Sequence, residues 1–172
     1  LLSLEACEKR YDAEIFRIPG VAGQDIIEDE FQLVYSPTPG NCYLQLKVEY
    51  GAPVYINWGE ADGVVQYGQG EEITCEYNDF TKDYIVTIRS AGITKIDLTH
   101  KSFQRLKAAY FGYMPRLDAI AYRTDENILE AFDMSRNVSN GYFLFNVYTE
   151  SFDLTGLQNF RGLSIAFYGY PH

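Results

Sequence analysis

From Ala91 to its C-terminus the chain repeats one short hydrophobic phrase: an apolar residue, a second three positions on, and a third two positions after that. Ile93, Ile96 and Leu98 state it cleanly. Phe103, Leu106 and Ala108 repeat it, followed by Met114, Leu117 and Ala119. Leu129, Phe132 and Met134 come next, then Tyr142, Phe145 and Val147, then Phe160, Leu163 and Ile165; Phe152 and Leu154 keep only the second half. One such unit cannot bury its apolar edge alone, whereas stacked units share a continuous core. The pattern therefore predicts a short solenoid whose neighbouring coils pair short parallel strands. The residue between the last two apolar positions of each phrase is expected to point outward. The chain has room for about three to four coils, near the minimum for a stable stack. Helical turns are expected only over 102–109 and 125–131. Leu117-Asp-Ala119 breaks the alternation, so the register between 117 and 145 is left open.

Upstream the period changes to two. Phe31–Tyr35 reads as a strand ended by Ser36-Pro-Thr-Pro-Gly40. In the next strand Cys42, Leu44, Leu46, Val48 and Tyr50 share one face, opposed by Gln45, Lys47 and Glu49, the pattern of a half-buried antiparallel strand. Val54–Trp58, Val64–Tyr67, Glu72–Tyr77 and Tyr84–Arg89 follow, separated by turns such as Gly51-Ala-Pro53 and Gly68-Gln-Gly70. Short strands at this spacing predict a small antiparallel β-sandwich over 31–92, with the solenoid over 93–172. Residues 1–30 form a separate N-terminal segment, a linker or edge strand. It contains a strand-like Ala13–Ile18 and an acidic cluster, Asp25, Glu28, Asp29 and Glu30, read as a solvated edge or loop. The fold class is mainly β: an antiparallel sandwich followed by a leucine-rich-repeat-like solenoid with parallel strands.

Ile56-Asn-Trp-Gly-Glu60, Tyr77, Asp83–Ile88 and Gly92–Leu98 resemble the layout of polycystic-kidney-disease-type β-sandwiches, which carry a Trp-Gly-Asp-Gly turn followed by a Tyr-x-Val strand. Glu60 stands where Asp is usual, and Ala61-Asp62 interrupts the second Gly. Many bacterial surface proteins, notably from Bacteroidetes, place such a module directly before leucine-rich-type repeats. Residues 93–167 resemble those repeats: Ile96-Asp-Leu-Thr99, Phe132-Asp-Met-Ser135 and Phe152-Asp-Leu-Thr155 match one half of a coil of about 21 residues. The resemblance implies an exported protein at the cell surface or outer membrane, with Trp58 plugging the sandwich core and Gly59 allowing its turn; a structural subunit would instead be part of an extracellular particle.

The first residues fit that placement. Leu1-Leu-Ser-Leu-Glu-Ala-Cys7 resembles a bacterial lipoprotein cleavage box, with Cys7 as the lipidated residue and Glu5 as a departure from the usual small residue. Cys42 and Cys75, on strand-like segments, either pair in an oxidising compartment or remain separate thiols; their spacing matches no zinc pattern. No apolar run approaches the ~18 residues needed for a transmembrane helix. A formal charge of −10 argues against nucleic acid, and against an anionic membrane surface other than through a lipid anchor.

No constellation for catalysis, metal or cofactor binding is legible in the sequence. His100 reads as a solvated turn residue. The outward positions Asp97, Asp133 and Asp153 would line one face if the coils stack in register; Asp followed by Ser or Thr also satisfies exposed turn amides, the simpler role. With 15 Tyr and 11 Phe the chain is rich in aromatics, and Tyr110, Tyr113, Tyr122 and Tyr148 are candidates for a contact surface where they stay outside the core. The sequence thus predicts a non-catalytic cell-surface binding or adhesion module with a protein or glycan ligand. The alternative is a structural subunit of a fibre or phage particle, homo-oligomeric or in a larger assembly, joined through sheet edges and an uncapped last coil. A carbohydrate-active enzyme using outward carboxylates ranks third.

Overall fold

The computed structural model describes residues 29–50, 53–61, 63–126, 128–134, 142–147 and 162–167. The strand-like Ala13–Ile18, with Asp25 and Glu28, lies outside them. Twelve strands occur in the described residues: β1 (Asp29–Tyr35), β2 (Tyr43–Tyr50), β3 (Val54–Asn57), β4 (Val64–Tyr67), β5 (Ile73–Glu76), β6 (Tyr84–Ser90), β7 (Ile93–Leu98), β8 (Leu106–Phe111), β9 (Ala119–Arg123), β10 (Ala131–Asp133), β11 (Tyr142–Val147) and β12 (Gly162–Phe167). They form two six-stranded sheets, β10-β8-β1-β6-β3-β4 and β12-β11-β9-β7-β2-β5. The chain is mainly β, as the two hydrophobic periods require.

Each sheet is mixed. β8-β1-β6-β3-β4 and β7-β2-β5 are antiparallel; β10 joins β8, and β7, β9, β11 and β12 join one another, in parallel. Parallel neighbours need a crossover. From β7 to β11 the crossover is a strand in the other sheet, because the chain alternates β7, β8, β9, β10, β11 between the two. Buried side chains from both sheets form one cluster, from Phe31 and Leu33 through Leu44 and Leu46 to Phe132 and Met134. It draws on residues before and after position 92.

Phe31, Phe111, Phe132 and Tyr122 form one aromatic group in that core, and a second centres on Tyr77. Tyr77 is fully buried, 5.4 Å from the Tyr35 ring and 4.2 Å from that of Tyr84. Each buried polar tip there finds an acceptor. Tyr77 donates to the Trp58 carbonyl at 3.0 Å, Tyr35 to that of Asn41 at 3.1 Å, and Tyr84 to that of Asp79 at 3.1 Å. Trp58 Nε1 donates to the Tyr67 hydroxyl at 3.0 Å. Around Tyr77 the tyrosines therefore fill the core up to its boundary with their hydroxyls paired. Burial pushes the Tyr77 and Tyr35 phenols well up, Tyr77 the further.

Where their side chains are described, the apolar phrases hold with two one-residue shifts; Phe152, Leu154 and the inward positions of the phrases at 142–147 and 160–165 lie outside that description. Ile93, Ile96 and Leu98, and Leu129, Phe132 and Met134, all point into the core. In the second phrase the β1–β8 ladder is irregular at Val34/Tyr35, where Tyr35 opposes Leu106 but Val34 opposes Ala108. A one-residue slip exchanges the two faces of a strand. Ala108 consequently leaves the main core for a second buried cluster with Val34 and Tyr110, while Ala109 and Phe111 point in. In β9 the inward residues are Ile120 and Tyr122, not Ala119. The expected helical turn over 102–109 shrinks to a 3-10 turn, Lys101–Arg105, before β8 begins, and 125–131 is not helical among its described residues. His100 starts that turn rather than standing in solvent: half-buried, it accepts from the Ser102 N–H at Nδ1, 3.3 Å away. Burial, with Lys101 and Lys47 nearby, lowers its pKa and favours the neutral ring that can accept.

The acidic cluster departs further from expectation. Asp29 is buried and accepts from the Ile93 N–H at 2.6 Å, tying the start of β1 to the β6–β7 turn. Glu30 pairs with Arg89 at 2.5 Å, both side chains largely buried. Burial raises the Asp29 pKa, partly offset by hydrogen bonds from Ile93 and Gly92 and by Arg116. A carboxyl whose folded pKa lies above its unfolded value contributes stability that is complete below about pH 3.8 and is lost as pH rises through the folded pKa. Asp29→Asn keeps an acceptor without the charge. Its unfolding free energy relative to the parent should therefore increase as pH is raised from about 3.5 towards neutrality, read from urea titrations of both proteins.

Gly59 is at φ +81°, and a Cβ there would sit 2.7 Å from the Ile85 carbonyl oxygen. Gly63 has the same φ with open space around it. Gly63→Ala should cost only the left-handed conformation, about 1–2 kcal/mol. Gly59→Ala should cost more, on the order of 3 kcal/mol, because the backbone of β6 must also move. Equal urea midpoints for the two variants would contradict this close approach.

Candidate binding surface

The outer face of the second sheet carries a depression of about 1060 Å³. Its floor comes from alternation. Because Ile96, Leu98, Ile120 and Tyr122 point into the core, Asp97, Ala119 and Ala121 point out. Strand register sets Lys47, Asp97, Ala121 and Leu144 in one row across β2, β7, β9 and β11, and Lys95 beside Ala119. Alanine at two adjacent outward positions lowers the floor there, and Leu144, 49 % exposed, extends it as an apolar step. One wall is the segment from Gln69 to Glu72 that connects β4 to β5. It is braced by Gln45 Nε2, which donates to Glu72 Oε1 at 3.3 Å. Arg116 stands at the other wall, its guanidinium over Gly92, where a Cβ would lie 2.9 Å from Nη1. The rim thus carries both signs of charge above a small-residue floor, an arrangement suited to holding a ligand by hydrogen bonds and ion pairs.

The residues singled out from the sequence scatter around this surface. Asp97 lies in it, with one oxygen accepting from the Thr99 N–H at 2.9 Å and the Thr99 hydroxyl at 2.6 Å. Asp133 is on β10, in the other sheet, so Asp97 and Asp133 do not line one face. Tyr113 is exposed between β8 and β9. Tyr122 and Tyr110 are corrections to the expected contact surface. Tyr122 is 1 % exposed, its ring stacked 5.5 Å from Phe132, because the one-residue shift in β9 turns it inward. Tyr110 does face away from the main core, but it is buried with Val34 and Ala108. Asp153, Tyr148 and Cys7 lie outside the described residues. The sequence did not single out Ala119, Ala121 and Arg116. The usable signal was the Ala-Ile-Ala alternation of 119–121, which sets small side chains opposite a buried one.

Among the described residues no group of three or more His, Cys, Asp or Glu is arranged to hold a metal ion. Comparison with protein-family models, with curated proteins and with solved structures gives no match.

Cys42 and Cys75 are half-buried thiols, not joined in a disulfide, on β2's N-terminal approach and on β5. Cys75 opposes Leu44, and the Tyr77 N–H donates to the Cys42 carbonyl at 2.9 Å. The cysteines are therefore diagonal across the ladder, roughly 7–8 Å apart at Cα. That is at or beyond the reach of a disulfide without backbone movement. Denaturation without reductant should leave both open to alkylation, and peptide mapping that finds Cys42 linked to Cys75 would overturn this.

Proposed function

We propose that the chain is a non-catalytic binding module that captures a protein or glycan ligand on the outer face of its second sheet. The observation that carries this reading is the depression floored by Ala119 and Ala121 and rimmed by charged side chains of both signs. Its chemistry is that of contact: ammonium, guanidinium, carboxylate and amide groups surround a flat, small-residue floor.

The solenoid reading of 93–172 belongs with it. The parallel ladder of β7, β9, β11 and β12, the parallel pair β8 and β10, and alternation between the two sheets support stacked coils of a leucine-rich type. In such a stack each further coil adds one strand and widens the face. The resemblance of residues 30–98 to a polycystic-kidney-disease-type sandwich, and of 93–167 to leucine-rich-type repeats, supports an adhesion role at a bacterial cell surface, with Cys7 as the lipid anchor.

Ala121→Arg tests the reading, because position 121 points away from the core and an arginine there fills the floor. On glycan and host-protein arrays the parent protein should give a defined hit that the variant loses by at least about tenfold, with unchanged thermal unfolding. Silence of the parent across broad panels, or full retention by the variant, would sink the proposal.

A further inference from the structure

The first sheet ends at β4, and that edge differs from those at β10 and β5. β4 reads Val64-Val65-Gln66-Tyr67, and Val64 and Val65 are 45 % and 39 % exposed. It pairs with β3 on one side in continuous register, Val54 with Tyr67 through Asn57 with Val64, and is last in the sheet order. Among the described residues no strand lies along its other side, which presents backbone N–H and C=O groups. Natural edges are blunted by charge, proline, a bulge or extreme shortness. β10 has only three residues, and β5 ends in Glu76. β4 has no charge, no proline and no bulge, and it carries two adjacent β-branched residues of high strand propensity.

The chain segments that flank this edge in sequence carry one sign of charge. Between Lys47 and Lys82 the chain carries seven Asp or Glu and no Lys, Arg or His. Glu60 lies before β4, Glu71 and Glu72 after it, and all three are exposed. A strand laid along β4 would run between two acidic ends. Antiparallel pairing of β4 with β4 of a second copy would bring the Glu60 end of one against the Glu71–Glu72 end of the other, which like-charge repulsion opposes.

We propose that β4 is a strand-addition site for an extended segment of a partner protein, with lysine or arginine at both flanks and β-branched residues between them. The added strand completes the ladder of the first sheet and covers Val64 and Val65, while its basic flanks meet Glu60 and Glu71–Glu72. The site shares Glu71 and Glu72 with the wall of the depression on the second sheet, but Val64 and Val65 do not line that depression, so Val64→Lys tests the edge independently of the function proposed above.

The probe is a fluorescent peptide of alternating valine and threonine with two lysines at each end, compared by anisotropy with a glutamate-flanked counterpart. The lysine-flanked peptide should bind at least about tenfold more tightly and weaken several-fold between low and high salt. It should slow amide hydrogen exchange in Val64–Tyr67. Val64→Lys, which adds a charge to the exposed edge, should reduce binding about tenfold or more. The double variant Glu71→Lys/Glu72→Lys should reverse the preference towards the glutamate-flanked peptide. All three positions are exposed, and circular dichroism verifies the fold of each variant. Absence of binding, affinity indifferent to flank charge, or binding unchanged in Val64→Lys overturns the proposal. So does protection of Val64–Tyr67 that grows with protein concentration in the absence of peptide, since that assigns the edge to a second copy.

Discussion

β1 sits between β6 and β8, and the rest of the structure depends on that position. Its pairing with β6 runs through seven registered residues, and its pairing with β8 brings in strands from beyond position 92. Phe31 opposes Ile88 on one side and Phe111 on the other, with the Phe31 and Phe111 rings stacked 5.7 Å apart. Asp29 and Glu30 at its start spend their carboxylates inside the molecule, on the Ile93 amide and on Arg89. A strand buried on both faces and bonded along both edges has no alternative register to slip into. The antiparallel strands before position 92 and the parallel ones after it are thereby joined in one sheet.

The second sheet makes the same change of direction at β7, antiparallel to β2 and parallel to β9. The short chain from β7 to β11 can do this because every return passes through the opposite sheet. A strand serves as the crossover that a helix provides in α/β folds. Both sheets then contribute to one core from every turn of the chain, which explains how phrases with two or three apolar residues each are enough to bury Ile96, Ile120, Leu129 and Phe132 together. Lys107 adds a modest polar tie across this junction, reaching Asp83 at 2.9 Å and Glu130 at 3.5 Å. Being partly exposed, these pairs fix position more than they add stability.

The depression on the second sheet and the β4 edge are consequences of this arrangement rather than additions to it. Alternation that directs Ile120 and Tyr122 inward leaves Ala119 and Ala121 as the floor outside, and the 69–72 connection rises beside it because β4 and β5 lie in different sheets. The same connection places Glu71 and Glu72 next to the end of β4. One acidic segment therefore borders both the depression on the second sheet and the free edge of the first. The two surfaces differ in character: the depression mixes both signs of charge, whereas the edge is bordered by carboxylates alone.

Period-two alternation, turn residues and the recurring apolar phrase were enough to locate the strands from Phe31 to Leu98, because these depend on residues near in sequence, while the buried Trp58 and the positive-φ turn at Gly59 were expected from the sandwich resemblance. The mainly β character was equally legible. What the sequence alone could not decide was which face each later strand turns inward. The irregularity opposite Val34 and Tyr35 moves Ala108 out of the main core, and the phase of β9 moves Tyr122 into it; both are set by partners distant in the chain. For the same reason Asp97 and Asp133, equivalent within their phrases, lie on different sheets. The acidic run at 29–30 looked solvated because charge favours water, and only pairing with Arg89 and the Ile93 amide brings it inside. Local pattern determined the strands; long-range registry, where a single-residue slip exchanges core for surface, decided which residues a partner can reach.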